Sequence, residues 1–551
     1  MLGMVFGILI LSCGSSTKRP TPSAALHESE SSATSLLPEA LTEIGTWYPT
    51  PNQLIQVWNS NVQTQSVEFQ EAFVFLLTQV RYHYTEYYHV VSETGERLPH
   101  PFDPYLDTES IQALWNAMQE EYGAIRFARS KIERDVNTVS LSELVDTIHL
   151  ALEVRHTVPW ASAYSWAIFL DYILPYRVSQ EPVDSWRHFF MDRFHSYITP
   201  PFPYHKIQDV AQVINQAISR IFIFDPGYHF HPTDQSFTQM LERKAGRCED
   251  MTNFATYALR SVGIAATSDY VPFWGHAGNN HAWNVILFPS GGTQAFMGCD
   301  GSMDPPFLPK LIPKVYRKTF HTHLPPSLIK AVLATPLPRQ LRFLHYLDVT
   351  SEYTHTTRIC VTLNNPLSQG DMLLLTVFNN GTWQPVSAQY ITETMHHICF
   401  NKVGTGLVYL IQAIRAFHPS NPFQGGNPIR SPFHLDRTGQ MYWFNGDTGG
   451  SDNKTTNPLT SLVIRSVDFR GEYALNKPLK KGRCYRLYRW NQGWEIIRTI
   501  TISEAHWIED QEQYGVELSE LKAGWLYWMV EEGGAGDERI FSINDEEWVW
   551  W

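Results

Sequence analysis

The sequence predicts a multidomain α+β protein with a helical N-terminal region, a central α+β core and two C-terminal β-sandwich-like modules. Three observations predict it. The 551 residues are more than one hydrophobic core organises. Apolar positions between residues 41 and 225 recur at three and four residues, the helical period. After the Pro-rich stretch from Pro325 to Pro338, short β-branched and aromatic runs alternate with turn signals, as they do in sandwiches.

Composition narrows the class further. Hydrophobic residues at 43% and charged residues at 18% are ordinary for a globular chain and argue against wholesale disorder. A net charge of -13 excludes a binder driven by phosphate neutralisation, so no nucleic-acid partner is expected. The 18 Trp and 26 Tyr fit either large β-rich cores or stacking platforms for sugar rings.

The chain opens with MLGMVFGILILSC, an apolar run too short to span a bilayer as a mature helix. Its Ile10-Leu11-Ser12-Cys13 ending resembles the lipobox of bacterial lipoproteins, which implies that residues 1–13 end at a lipidated Cys13. Residues 14–40 are rich in Ser, Thr and Pro and read as a flexible tether. The implied location is the bacterial cell envelope, on the periplasmic side or at the outer surface, with the membrane as partner through the lipid.

Within 41–225, Phe69, Ala72, Phe73, Leu76 and Val80 form one helical stripe. Ser140 followed by Glu143 is a capping-box pattern that opens a helix through Leu141, Leu144, Val145, Ile148 and Leu152. A third helix, from Trp166 to Tyr172, stops before Pro175. These stripes read as core.

The chemistry concentrates in 226–322. Ser236 and Gln239 open a short helix that ends near Gly246. Gly246-Arg247-Cys248-Glu249-Asp250 then leads into Met251, Phe254, Ala255, Ala258, Leu259 and Val262, an amphipathic helix stopped by Gly263. Cys248 therefore sits at a first turn, where the helix dipole favours a thiolate. Glu249 and Asp250 suit that terminus but would raise the thiol pKa if they faced it, so they are expected to turn away.

A thiol nucleophile needs a base that carries its proton and a group that orients the base. His281 begins the strand pattern His281 to Leu287, Pro289 to Gly292 turns the chain, and Gln294 to Gly298 returns. Asp300 ends the return strand near the imidazole, with Asp304 as its rival.

Taken together, Gly-Arg-Cys-Glu-Asp, the run Ala258 to Ile264, Asn280-His281-Ala282-Trp283-Asn284 and Asp300 resemble the core of the transglutaminase-like superfamily. The whole chain is similar to large transglutaminase-domain lipoproteins of Bacteroidetes-type bacteria. The resemblance implies a papain/transglutaminase-like core with Cys248, His281 and Asp300 as nucleophile, base and orienter. It implies an acyl-transfer enzyme without cofactor that hydrolyses peptide or amide bonds in a peptide, protein or glycopeptide substrate. Cross-linking to an amine, or a non-catalytic glycan- or protein-binding lipoprotein, is the alternative. Trp274 or the Tyr228 to His231 segment is the candidate second oxyanion donor.

The C-terminal half carries an internal echo. Leu374 to Trp383 resembles Tyr485 to Trp494, and the pairs Gly406-Leu407 and Gly524-Trp525 follow at similar distances. Each motif reads as strand, tight polar turn and Trp-led strand, giving β modules over 345–415 and 462–551 with a linker over 416–461. Of the remaining cysteines, Cys360 with Cys399 is the first choice for a disulfide, against isolated buried thiols for these two, Cys299 and Cys484. His229 with His231, His321 with His323, and His396 with His397 lack partner sets at metal-ligand spacing, so no metal site is expected.

Overall fold

In the computed structural model the chain forms two compact units, Met1–Thr78 and Gln79–Trp551. The structure describes residues 40–275, 278, 280–306, 308, 311–325, 328, 329, 332, 341, 342, 344–414, 426–445, 462–467, 477–519, 521–534, 536–544 and 547–551. Cys13, the expected signal segment and almost all of the expected tether lie outside them.

In the first unit, α1 (Pro51–Val57) begins on a proline, whose missing amide costs nothing at a helix start, and passes into a π-helical turn over Trp58–Val62. The next helix, α2 (Val67–Val80), runs across the division, and its stripe of Phe69, Ala72, Phe73, Leu76 and Val80 is buried.

The second unit opens with an element that the helical reading of 41–225 lacked. Strands β1 (Tyr84–Val91) and β2 (Arg126–Arg134) form an antiparallel ribbon around α3 (Thr108–Tyr122). Tyr84-Thr-Glu-Tyr-Tyr-His-Val-Val is almost wholly aromatic and β-branched, and that propensity wins over the helical neighbourhood. Helix α4 (Leu141–Thr157) carries the capping box: the Ser140 hydroxyl accepts from the Glu143 amide, and the Glu143 carboxylate accepts from the Ser140 amide. Helices α5 (Trp166–Tyr172), α6 (Arg187–Arg193) and α7 (Ile207–Ile218) follow.

Between α5 and α6 the irregular residues 173–181 are all buried. Buried loop backbone must find hydrogen-bond partners or lose several kcal/mol per orphaned group, and here arginines and a glutamate supply them. Arg177 pairs with buried Asp135 and donates to Tyr84 O at 3.2 Å, Ser179 O at 3.0 Å and Glu181 O at 2.7 Å. The Glu181 carboxylate accepts from the Val178 and Ser179 amides and from the Tyr257 hydroxyl. Arg187 donates to Ile173 O and Leu174 O, and Arg260 to Arg177 O.

The central sheet runs β7-β6-β5-β8-β9, all antiparallel, from β5 (Ala266–Val271), β6 (His281–Leu287), β7 (Thr293–Phe296), β8 (Tyr316–Lys318) and β9 (Tyr346–Asp348). The two-residue strands β3 (Ile223–Phe224) and β4 (Ala245–Gly246) pair in parallel beside it, with α8 (Phe237–Arg243) between them in sequence. Helix α9 (Cys248–Ser261) packs on β5 and β6. Residues Tyr346–Asp348, assigned by sequence to the first β module, thus complete the core sheet instead.

The C-terminal strands build two sandwiches. In the first, β10 (Thr356–Leu367) and β13 (Met395–Gly404) face a sheet containing β11 (Met372–Asn379), β12 (Thr382–Tyr390), β14 (Leu407–Ile414), β15 (Asn427–Pro428), β16 (Phe433–Leu435) and β17 (Met441–Trp443). Strands β15, β16 and β17 come from the stretch expected to be a linker: Phe433 and Leu435 are buried in the sandwich core, so this Gly- and Pro-punctuated segment still carries an alternating strand. Cys360 and Cys399, directly opposite on β10 and β13, form a disulfide.

In the second sandwich, β18 (Leu462–Ile464) pairs with Val516–Leu518, and Cys484–Trp490, Trp494–Thr501, Leu526–Glu531, Ile540–Asn544 and Glu547–Trp550 form the larger sheet. The two echo motifs are corresponding hairpins, each followed by a strand that pairs with the first arm. Asn380 and Gly381 both take positive φ in one turn; in the other it is Gln492, not Gly493, that does so.

The tryptophans of these hairpins meet. Phe378, Trp383, Val408, Leu410 and Phe444 of the first sandwich form one cluster with Trp490, Leu526 and Ile540 of the second, with Trp494 and Trp528 packed against it. Trp383 and Trp490 lie 5.5 Å apart edge to face. Much of the aromatic surplus therefore fills this joint, where burial of large rings is worth most. The first sandwich also seats on the core: Phe273 lies in its hydrophobic cluster, and Asn379 donates to Trp274 O at 2.8 Å.

Among the described residues no helix is long and apolar enough to cross a membrane. Arg177→Met should destabilise the fold by about 3–5 kcal/mol, because it strands the buried Asp135 carboxylate. Denaturant titration checks this, and an unfolding midpoint unchanged from wild type contradicts it.

Candidate active site

The site grows from the start of α9. Cys248 is its first residue and Arg247 the N-cap. Asp250, in the first turn, folds back: its carboxylate accepts from the Arg247 amide and the Gln235 amide, each at 3.1 Å. The Arg247 guanidinium is paired in turn with buried Asp234 at 2.6 Å. Glu249 points elsewhere, accepting from Ser179 Oγ at 2.7 Å and pairing with Lys318 of β8. Both acids have partners of their own, yet both charges still act on the sulfur and raise its pKa, against the expectation that they turn away.

His281 is the first residue of β6 and lies opposite Val271 of β5. The next residue, Ala282, carries a backbone amide near enough to the Cys248 sulfur to favour its charged form. That contact sets the backbone bearing the imidazole against the thiol. Two residues further on, Asn284 ties the strand to the helix: its amide donates to Thr252 O at 2.9 Å and to Thr256 Oγ1 at 3.0 Å. Trp283 points to the opposite face of the sheet and donates to the Tyr353 hydroxyl at 3.0 Å, which donates to Asp269 at 2.6 Å, itself clamped by Arg317.

Gly298 allows this close approach. A Cβ there would stand 2.1 Å from Asn284 Oδ1 and 2.5 Å from the Ala255 methyl.

The third expected member stands differently. If the β6–β7 register, with Asn284 opposite Phe296, ran on, Cys299 would face His281. Cys299 instead turns with φ +60, and the bend it makes is held by α7. Asn215 accepts from the Cys299 amide and donates to Met297 O and Ser302 O, and Gln212 donates to Gly301 O. Asp300 is exposed on that fixed bend. The Asp304 carboxylate accepts from Ser302 Oγ at 2.7 Å. Among the described residues no hydrogen bond joins either carboxylate to His281.

Electrostatics correct one expectation. Burial pushes the Cys248 thiol up to about 11, with the Glu249 charge adding to the rise and the Ala282 amide and Arg247 opposing it. Desolvation thus acts against the thiolate that the helix terminus was expected to favour. The residue as a whole keeps partial exposure while its sulfur lies deep. Burial also lowers the His281 pKa. Burial therefore disfavours the charged form of both groups, and among the described residues no hydrogen bond joins the Cys248 sulfur to the His281 ring.

Of the proposed oxyanion donors, Trp274 is buried with its ring 6.3 Å from that of His281. Tyr228 lies in a 3-10 turn after β3, which is joined to the nucleophile's approach by the Asp225 amide donating to Gly246 O at 2.9 Å. His231 is committed to Thr233 O at 2.5 Å and to Arg243 at 3.0 Å, and burial pushes its pKa down to about 4. Among the described residues the one cluster with metal-ligand proximity is Cys360, His397 and Cys399, and its two sulfurs are already bonded to each other.

Residues 196–296 match the model of the transglutaminase-like superfamily. This stretch is similar to a transglutaminase-like domain. The match takes in Cys248 and His281 and ends before Asp300, and it supports a papain-like cysteine enzyme family in general terms. No curated protein matches the chain.

Sequence reasoning passed over Lys318, Ser179 and the Ala282 amide. The first two lie 69 or more residues from Glu249 along the chain and belong to no local pattern, and a backbone amide has no sequence signature. Asn284 was within the quoted motif, and its place on the strand face shared with His281's neighbour in the pattern was the available clue.

Two outcomes follow. Alkylation of Cys248, followed on its own peptide by mass spectrometry, should be slow at pH 7 in the free protein and should keep rising with pH towards about 11; a plateau below pH 8 contradicts this. Asn284→Ala should cost about 1–3 kcal/mol by leaving buried acceptors on α9 unpaired, measured as a fall in unfolding midpoint.

Proposed function

We propose that the protein is a lipid-anchored cysteine acyl-transfer enzyme that hydrolyses peptide or amide bonds, with Cys248 as nucleophile, His281 as base and Asp300 as orienter. The observation that carries the proposal is the meeting of helix start and strand start, where the Ala282 amide reaches the Cys248 sulfur within a transglutaminase-like domain.

With burial disfavouring the charged form of both thiol and imidazole, the proton leaves sulfur as sulfur attacks the carbonyl carbon, and His281 takes it up. The oxyanion then formed is received by backbone amides at the start of α9. His281 returns the proton to the departing amine, leaving a thioester on Cys248. Water attacks the thioester with His281 again as base, releasing the acid and the free thiol. An amine in place of water would give a cross-link. Asp300 stands exposed on a bend fixed by Asn215 and Gln212, and the orienting role asks that its carboxylate accept a hydrogen bond from the His281 ring.

The substrate class is a peptide, protein or glycopeptide amide, and Cys13 is the lipid anchor that holds the enzyme at a bacterial envelope membrane. Turnover of a panel of peptide and glycopeptide amides by the full chain tests the catalytic reading. Cys248→Ala should abolish turnover and thiol-probe labelling, and His281→Ala should lower kcat by about 10²–10⁴-fold. Asp300→Asn should lower kcat where Asp304→Asn does not. Undiminished hydrolysis by Cys248→Ala sinks the proposal, and glycan or protein capture without hydrolysis by wild type favours the scaffold reading instead.

A further inference from the structure

The residue after the nucleophile is an acid. A carboxylate in the first turn of α9 suits the positive end of the helix dipole. The same charge opposes a second negative charge on the neighbouring sulfur, and Glu249 does act on the Cys248 thiol in that sense. A helix start and a nucleophile thus make opposite demands on one position.

Lys318 resolves the conflict in the structure. It comes from β8, two strands away from His281's strand β6 in the sheet, and its side chain is only 4% exposed. Its ammonium pairs with Glu249 Oε1 and donates to Ser179 Oγ at 3.0 Å, while Ser179 Oγ donates to the same carboxylate oxygen at 2.7 Å. Ser179 is presented by the buried loop 173–181, fixed by the Glu181 carboxylate on its own amide. Lys318 is itself seated by the Thr267 hydroxyl on its carbonyl at 2.8 Å. Burying an ammonium costs several kcal/mol unless its partners are well placed. Three separate parts of the fold, strand, loop and helix, converge to place them at this one carboxylate.

We propose that Lys318 is a positioning residue for the nucleophile, pinning the Glu249 carboxylate and offsetting part of its charge, so that it opposes the charge that forms on Cys248 less than an unpaired carboxylate would. This rests on Cys248 being the nucleophile. The other charged groups around the sulfur have partners of their own. Arg247 is held by Asp234, Asp250 by the Arg247 and Gln235 amides, burial disfavours the charged form of His281, and Asp300 is exposed on the bend beyond β7.

The test is the pH profile of Cys248 alkylation by iodoacetamide in the full chain, read on the Cys248 peptide so that Cys299 and Cys484 do not contribute. Lys318→Met should shift the profile to higher pH and slow alkylation about tenfold at a fixed pH below the midpoint. Glu249→Gln, which leaves the ammonium without its counter-charge, should shift it the other way. The double variant Glu249→Gln with Lys318→Met, neutral at both positions, should return close to wild type. A merely structural ion pair predicts altered melting with superimposable pH profiles, and that result overturns the proposal. Should Lys318→Met fail to fold, Glu249→Gln and the double variant carry the test alone, and an unshifted Glu249→Gln profile overturns it. Absence of Cys248 alkylation at any pH in every variant overturns the nucleophile assignment together with this one, whereas alkylation with unshifted profiles overturns this one only.

Discussion

The site depends on one tie between a helix and a strand. Asn284 of β6 bonds the first carbonyl it meets on α9, Thr252 O, and the Thr256 hydroxyl one turn further along. That pair of hydrogen bonds fixes both the height and the rotation of the helix against the sheet. With the helix so placed, its first residue reaches the amide that follows His281. Gly298 is part of the same constraint, because a side chain there would occupy the position of Asn284 Oδ1. Cys248 and His281 are apart in sequence, and the packing of the helix that begins with one on the strand that begins with the other is set by Asn284.

Around this tie the protein keeps an unusual amount of polar structure out of water. Residues 173–181 have no regular hydrogen bonding of their own and are nevertheless buried. Arg177, Arg187, Arg260 and Glu181 satisfy their backbone, and through Tyr257 and Arg260 the same groups grip α9. A network of this kind rigidifies when every member is satisfied and is costly when one is missing. Its location behind α9 explains how the Glu249 carboxylate beside the Cys248 thiol can be held still.

The β-rich half is more than a spacer in contact terms. Phe273 and Trp274, which lead toward His281, are packed and hydrogen-bonded by the first sandwich, and Gly275 lies so close to Leu407 that a Cβ would stand 1.8 Å from its Cδ2. The second sandwich joins the first through the ring cluster of Phe378, Trp383 and Trp490. Aromatic abundance alone was compatible with sugar-stacking surfaces, but these rings are spent on internal joints.

Local chemistry made much of this visible in the amino-acid order. Apolar spacing of three and four marked α2, α4 and α9; Ser140 with Glu143 marked a helix start; Asn380-Gly381 marked a hairpin; and Cys248 and His281 stood out by their neighbours. Each of these rests on interactions among residues a few positions apart, which a sequence encodes directly. The ribbon of β1 and β2, the strands within 426–445 and the transfer of Tyr346–Asp348 to the core sheet were decided by which partner strand was available. The protonation of the thiol was decided the same way. A helix terminus argues for a thiolate, but the depth at which folding buries the sulfur, and the lysine brought to Glu249 from β8, exist only once distant segments have packed and excluded water.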